Sequence, residues 1–105
     1  MTIRLSRRAL LDIEDIRAYT IDRWAAGQWL RYFAGLAAAM ERIAEDPNCG
    51  RPRDLMLMGM RSMPHEKHVI FFLPAKTGVG SAAILRIVHQ RRNLAALLYY
   101  ENLDG

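Results

Sequence analysis

Two histidines stand at the outer ends of two apolar runs: His68 near the start of Lys67-His68-Val69-Ile70-Phe71-Phe72-Leu73, and His89 at the end of Ala82-Ala83-Ile84-Leu85-Arg86-Ile87-Val88-His89. If the runs pair as neighbouring strands, the imidazoles meet, and a pair of rings with an ordinary pKa near neutrality suits acid–base work. Two structural histidines, each satisfied where it lies, are the other reading. Two imidazoles without a third ligand make a poor metal site. The lone cysteine, Cys49, excludes an internal disulfide and any Cys-rich zinc site. No metal and no cofactor are expected. Arg91 and Arg92 follow His89 closely, with no apolar neighbour to explain them, and serve either as contacts to another molecule or as solvated surface. Arg61, beside Ser62, either pins a strand end or touches a target. Arg86 lies inside an apolar strand, where a guanidinium needs a carboxylate such as Asp12 or Asp15, or an opening onto a cleft.

The two runs that carry these groups are rich in β-branched and aromatic residues and are bounded by Pro74 and the loop from Lys76 to Ser81, so they read as a hairpin. They are apolar at nearly every position, the pattern of strands covered on both faces. Upstream, Thr2-Ile3-Arg4-Leu5 is long enough for a short first strand, and Ser6 is placed to cap a helix. Ala9, Ile13, Ile16, Thr20 and Trp24, broadened by Leu10 and Tyr19, form one helical stripe, with Asp12 and Asp15 off it. Ala25-Ala26-Gly27 breaks that helix. A second stripe of Trp29, Phe33, Leu36, Met40 and Ile43 carries another to about Glu45, where Pro47 and Gly50 stop it. A break this short implies an antiparallel helical hairpin laid on the sheet. Asn48 to Asp54 reads as a basic loop and Leu55 to Met63 as a further strand, with Gly59 suited to a bulge. Asn93 caps a last short helix through Leu97, Leu98 and Tyr99. The order β-α-α-β-β-β, with that final helix, is an α+β domain with an antiparallel sheet, spanning residues 1–105 as one unit.

Two features favour a protein partner. Met56, Met58, Met60 and Met63, with Leu55 and Leu57, give more apolar surface than one short strand needs; they either line the core or form a groove that repacks around a ligand. Trp24 and Trp29 bracket the helical turn, one placed to staple the hairpin and the other to be partly exposed. If both regions are open, the patch calls for an amphipathic helix or an added strand from a partner. A net charge of +4 and a pI near 9.7 fit nucleic acid or an acidic protein segment as partners, although many proteins this basic touch neither. With 51% hydrophobic and 25% charged residues the chain is globular rather than disordered. No signal core opens it and no stretch reaches the length of a membrane span, so a cytoplasmic location is expected.

The combination of Arg4-Leu5-Ser6, Ala9, Asp12, Ile16, Tyr19-Thr20, Trp24, Pro47-Asn48-Cys49-Gly50-Arg51, Met60-Arg61-Ser62, His68-Val69-Ile70-Phe71 and Ile84 to Gln90 resembles the ParE toxins of bacterial toxin–antitoxin systems, within the RelE/ParE superfamily. The resemblance runs from about Arg4 to Asn93. It implies a growth-arresting toxin that stabilises the cleaved-DNA complex of DNA gyrase by protein contact rather than by catalysis, and that a ParD-type antitoxin neutralises. It implies DNA contact only through gyrase or the antitoxin. Arg61, Arg91 and Arg92 are then the expected target contacts, and Trp24, Trp29, Met56, Met58 and Met60 the expected antitoxin contacts. RelE-like relatives supply a second reading, a ribosome-dependent messenger RNA endoribonuclease, in which His68, His89, Arg91 and Tyr99 would be the catalytic set. The match to that set is partial: His68 stands where such enzymes carry a strand arginine, and Gln90 where an aromatic follows the histidine. A third reading is a non-toxic module that only binds an antitoxin.

Overall fold

The structure, a computed structural model, describes residues 2–74 and 81–91. Seven elements follow in order: β1 (Thr2–Leu5), α1 (Arg7–Arg23), α2 (Ala26–Glu45), β2 (Arg51–Pro52), β3 (Arg61–His65), β4 (His68–Pro74) and β5 (Ser81–His89). The strands form one sheet in the order β1-β5-β4-β3-β2. Neighbours are antiparallel except β1 and β5, which run parallel, so the expected antiparallel sheet is mixed at this edge.

Ser6 begins α1 and anchors it to the sheet. Its hydroxyl accepts the Ala9 backbone N–H at 3.0 Å and donates to the Leu85 carbonyl at 2.8 Å, and its own N–H donates to the Ile84 carbonyl. Ala9, Ile13 and Thr20 are buried as the stripe predicts, but Leu10, Tyr19 and Trp24 are exposed and Asp12 is buried in their stead. The reason is the partner: Asp12 enters the interior to meet Arg86, and Trp24, at the C-cap, falls beyond the sheet that the stripe covers. In α2, Trp29, Leu36, Met40 and Ile43 pack into the core with Ala39 and Ala44, whereas Phe33 stays partly exposed and Leu30 faces solvent.

β4 and β5 have apolar contacts on both faces, as their unbroken hydrophobicity predicts. A register shift at Phe71/Phe72 pairs Phe71 with Arg86 and Phe72 with Ile84. This bulge breaks the two-residue alternation of β5. Ile84 and Ile87, three apart, both join the main core with Ile13, Leu36 and Ile43, while Leu85 and Val88 pack on the opposite side with Met60 and Phe71.

That opposite side is covered by the connection between β2 and β3, where the expected strand Leu55–Met63 proves much shorter. Only from Arg61 does the chain pair, because Asp54 Oδ1 accepts the Gly59 N–H at 2.9 Å and the Arg53 N–H donates to the Met60 carbonyl, closing the intervening residues into turns. The basic loop before it contains the two-residue β2. The helix expected from Asn93 lies outside the described residues.

Candidate functional site

The hairpin register brings the two histidines together. His68 lies opposite His89 across β4 and β5, with ring centroids 5.5 Å apart in an edge-to-face arrangement. Tyr32, from α2, sets its hydroxyl 2.8 Å from His68 Nδ1, and His65 stacks against the same phenol at 5.2 Å. Three imidazoles and one phenol therefore run from α2 across the β3–β4 turn to the end of β5. Sequence patterning marks two of the four. Tyr32 carries a detectable signal, since it sits three residues after Trp29 on the inward side of α2; His65 carries none.

Burial, reinforced by His89 and His65, lowers the His68 pKa from 6.5 to about 4, and burial with the nearby Glu66 carboxylate raises that of Tyr32. At neutral pH His68 is an uncharged ring against a protonated phenol, so the pair shares one hydrogen bond without charge. Arg91 donates its backbone N–H to His89 Nδ1 at 3.1 Å, making that nitrogen an acceptor. Because the unfolded His68 binds a proton more readily than the folded one, protons favour unfolding between pH 6.5 and about 4. This contribution to stability is complete above the unfolded value and is lost as pH falls. Screening by solvent at a half-buried ring reduces it to on the order of 1–2 kcal/mol. Urea titrations at several pH values should show the loss, and His68→Gln should flatten it; an unchanged slope would place the titration elsewhere.

A groove of about 850 Å³ lies beside this cluster. Leu11, Asp15, Ile16 and Tyr19 of α1 form one wall, Trp24 and Gln28 an end, and Lys67, His68 and His89 the opposite rim, with Tyr32 between them. Beneath it Arg86, 2% exposed, is clamped by Asp12: Nε to Oδ2 at 2.8 Å and Nη2 to Oδ1 at 3.0 Å, while the Ile87 N–H also donates to Oδ2 at 2.9 Å. Arg86 is thus a fold arginine, and of the two expected carboxylates Asp12 holds it.

The remaining sequence candidates separate by position. Arg91 is exposed at the end of β5; Arg92 and Tyr99 lie outside the described residues. Arg61 is occupied internally, its guanidinium donating to the carbonyls of Cys49 at 2.7 Å and Gly50 at 2.9 Å, which pins β3 to the preceding loop. Trp29 is buried and Trp24 is 69% exposed. Met60 is enclosed beside Phe71, Met56 is half-buried against that cluster, and Met58 projects into solvent with Leu55. Among the described residues no group of three or more His, Cys, Asp or Glu side chains could hold a metal ion, and no helix is long and apolar enough to cross a membrane.

Residues 3–94 match the family described as "ParE toxin of type II toxin-antitoxin system, parDE". Toxin ParE1 of Caulobacter vibrioides is 39% identical over 95 residues, covering 90% of this chain and 95% of the relative. Toxin ParE1 of Mycobacterium tuberculosis H37Rv is 33% identical over 90 residues, 86% of this chain and 90% of the relative. Toxin ParE of Escherichia coli is 30% identical over 94 residues, 90% of this chain and 89% of the relative. A solved structure titled "Chromosomal ParDE TA system from P. aeruginosa" shares the fold with a TM-score of 0.70 at 19% identity, over 85% of this chain and 95% of that one. With a match that spans both helices and reaches past the last strand, the chain belongs to the ParE toxin family of type II toxin–antitoxin systems.

Proposed function

We propose that this toxin arrests growth by stabilising the cleaved-DNA complex of DNA gyrase through protein contact, and that a ParD-type antitoxin holds it inactive until released. The observation that carries the reading is the family match over residues 3–94, which covers nearly all of the chain. The exposed apolar side chains agree with an obligate partner: Leu55 and Met58 stand out on the β2–β3 connection and Trp24 at the helical turn. Within the proposed antitoxin surface, Trp24, Met58 and part of Met56 offer direct contact, while Trp29 and Met60 shape it from beneath. For the proposed target surface, Arg91 and Arg92 are the contacts; Arg61 lies opposite Phe72, at the other end of the sheet from His89, and holds the Cys49 and Gly50 carbonyls there. A ligand that binds the cleaved state of an enzyme more tightly than its other states must populate that state.

The decisive assay is plasmid supercoiling and cleavage by purified gyrase with the antitoxin-free chain. Accumulation of covalently trapped, broken plasmid is the expected result. Growth arrest with gyrase untouched would overturn the proposal and favour the ribonuclease reading. The two surfaces should also separate: Arg91→Ala with Arg92→Ala is expected to abolish toxicity with antitoxin affinity unchanged, and Met58→Asp to weaken antitoxin binding by roughly tenfold or more with the fold intact. Loss of both properties in either variant would show that one surface serves both partners.

A further inference from the structure

We propose that β1, at the open edge of the sheet, takes up an added strand from a partner protein, a segment that alternates apolar and acidic residues. The inference goes beyond the gyrase and antitoxin readings and depends on neither, since it rests on the backbone of one sheet edge and the charge beside it.

The two edges of the sheet differ. β2, at one end of the strand order, is two residues long and contains Pro52, and the part of β3 that runs past it contains Pro64. Proline has no N–H to donate, so this edge offers an incoming strand only a broken ladder. β1, at the other end, has four residues and no proline. The Ser6 N–H donates to the Ile84 carbonyl across the parallel pair. By the two-residue period of a strand, Arg4 also turns its N–H and C=O toward β5, and Ile3 and Leu5 turn theirs outward. Among the described residues no turn or side chain takes up these outward groups. Ile3 and Leu5 set their side chains against the main core, on the helix side, so by the same alternation the exposed Arg4 projects from the other face. A strand laid beside β1 therefore needs apolar side chains next to Ile3 and Leu5 and a polar one next to Arg4. The sequence has no carboxylate from Thr2 to Leu11, and Arg7 stands exposed just past the strand. Although α2 packs on β1 and carries Glu41 and Glu45, neither Arg4 nor Arg7 has an ion pair among the described residues. An acidic residue on the incoming strand answers this charge. A second copy does not: the antiparallel register that pairs Ile3 with Leu5 in both directions sets Arg4 beside its own counterpart, and like charges on an edge strand discourage self-pairing.

The test uses the full-length, antitoxin-free chain and a short capped peptide of alternating valine and glutamate, with hydrogen exchange followed at single backbone amides. Binding is expected to slow exchange at the outward-facing Ile3 and Leu5 amides and to leave the Arg4 amide, already turned to β5, as it was. A peptide methylated at the backbone nitrogens that would face β1 should lose binding, because its side chains remain and its donors are gone. Arg4→Glu should weaken the valine–glutamate peptide about fivefold and strengthen a valine–lysine peptide by a similar factor. Arg4 is exposed, and unchanged far-UV circular dichroism would confirm that the variant folds. Added salt should weaken the glutamate peptide on the parent chain, since the charge it meets is open to solvent. The proposal is overturned if the peptide does not bind at millimolar concentration, if Ile3 and Leu5 gain no protection, or if protection appears on β2 or β3 instead. It is also overturned if the methylated peptide binds as well as the unmodified one, or if the lysine peptide binds the parent chain as tightly as the glutamate one. Protected Ile3 and Leu5 amides in the chain alone, with a dimer seen by sedimentation, would give the edge to a second copy and equally overturn it. These measurements contain neither gyrase nor antitoxin, so their failure and that of the gyrase reading are separately visible.

Discussion

Asp12→Ala is expected to cost about 3–5 kcal/mol, enough to unfold much of a small domain at ambient temperature. The carboxylate accepts three hydrogen bonds, two from Arg86 and one from the Ile87 backbone, and joins α1 to β5 across 74 positions of sequence. Arg86 is 2% exposed, so its guanidinium keeps no useful access to water when the carboxylate goes. The size of the effect follows from that burial, since an exposed ion pair of the same geometry contributes about 1 kcal/mol or less. Replacing both partners by apolar residues of similar volume, Asp12→Leu with Arg86→Met, should cost markedly less than Asp12→Ala alone, because the desolvated charges leave together. Urea unfolding of the three variants measures the coupling. A single variant within about 1 kcal/mol of the parent would show that the pair is incidental. The pair also acts through position: it fixes α1 over β5, and so sets the width of the groove between Tyr19 and Trp24 and the histidine rim.

That ion pair also shows how much of the molecule is legible in the sequence. A charged residue inside an apolar run has few ways to exist, so the strand around Arg86 by itself demands a carboxylate, and Asp12 is one of two on the first helix that could answer. The pairing of His68 with His89 is legible for a similar reason, because two buried strands joined by a short loop have almost one register. The helical stripes place Ala9, Ile13, Leu36 and Ile43 correctly. They fail at Trp24, Leu10 and Leu30, because periodicity reports which face a helix could bury and says nothing about where the covering sheet ends. The β2–β3 connection fails differently. Its methionines and leucines have strand composition, but Asp54 bonded to the Gly59 N–H makes a turn that hydrophobicity does not register. Trp24 is legible as a candidate contact because it is one of two tryptophans at the helical turn, whereas Tyr19 reads only as part of the buried stripe.

The second large effect is expected at Gly50, immediately before β2. Gly50 has φ +82°, and a Cβ built there would lie 2.5 Å from the Ser62 carbonyl oxygen and 3.2 Å from its carbon. Both obstacles are backbone, on a strand whose Ser62 is 2% exposed and whose Arg61 grips the Cys49 and Gly50 carbonyls, so neither side can yield cheaply. Gly50→Ala should therefore cost about 2–4 kcal/mol, combining left-handed backbone strain with steric overlap. Gly59→Ala separates the two contributions. It has the same φ of +82° but only the flexible Leu73 Cδ2 at 3.8 Å, so it should show the backbone part alone, about 1 kcal/mol. Gly27→Ala, in the first turn of α2 with nothing within 4 Å, should be neutral or slightly stabilising. Thermal or urea unfolding of the three would test the ranking, and a Gly50→Ala variant no worse than Gly59→Ala would mean that β2 shifts freely away from β3. Such freedom would also undermine the proposed antitoxin surface, because Met56 and Met58 hang on the segment that this junction holds in place. If the junction is rigid, Gly50→Ala should weaken antitoxin binding by displacing Met58, and Gly27→Ala should leave it unchanged.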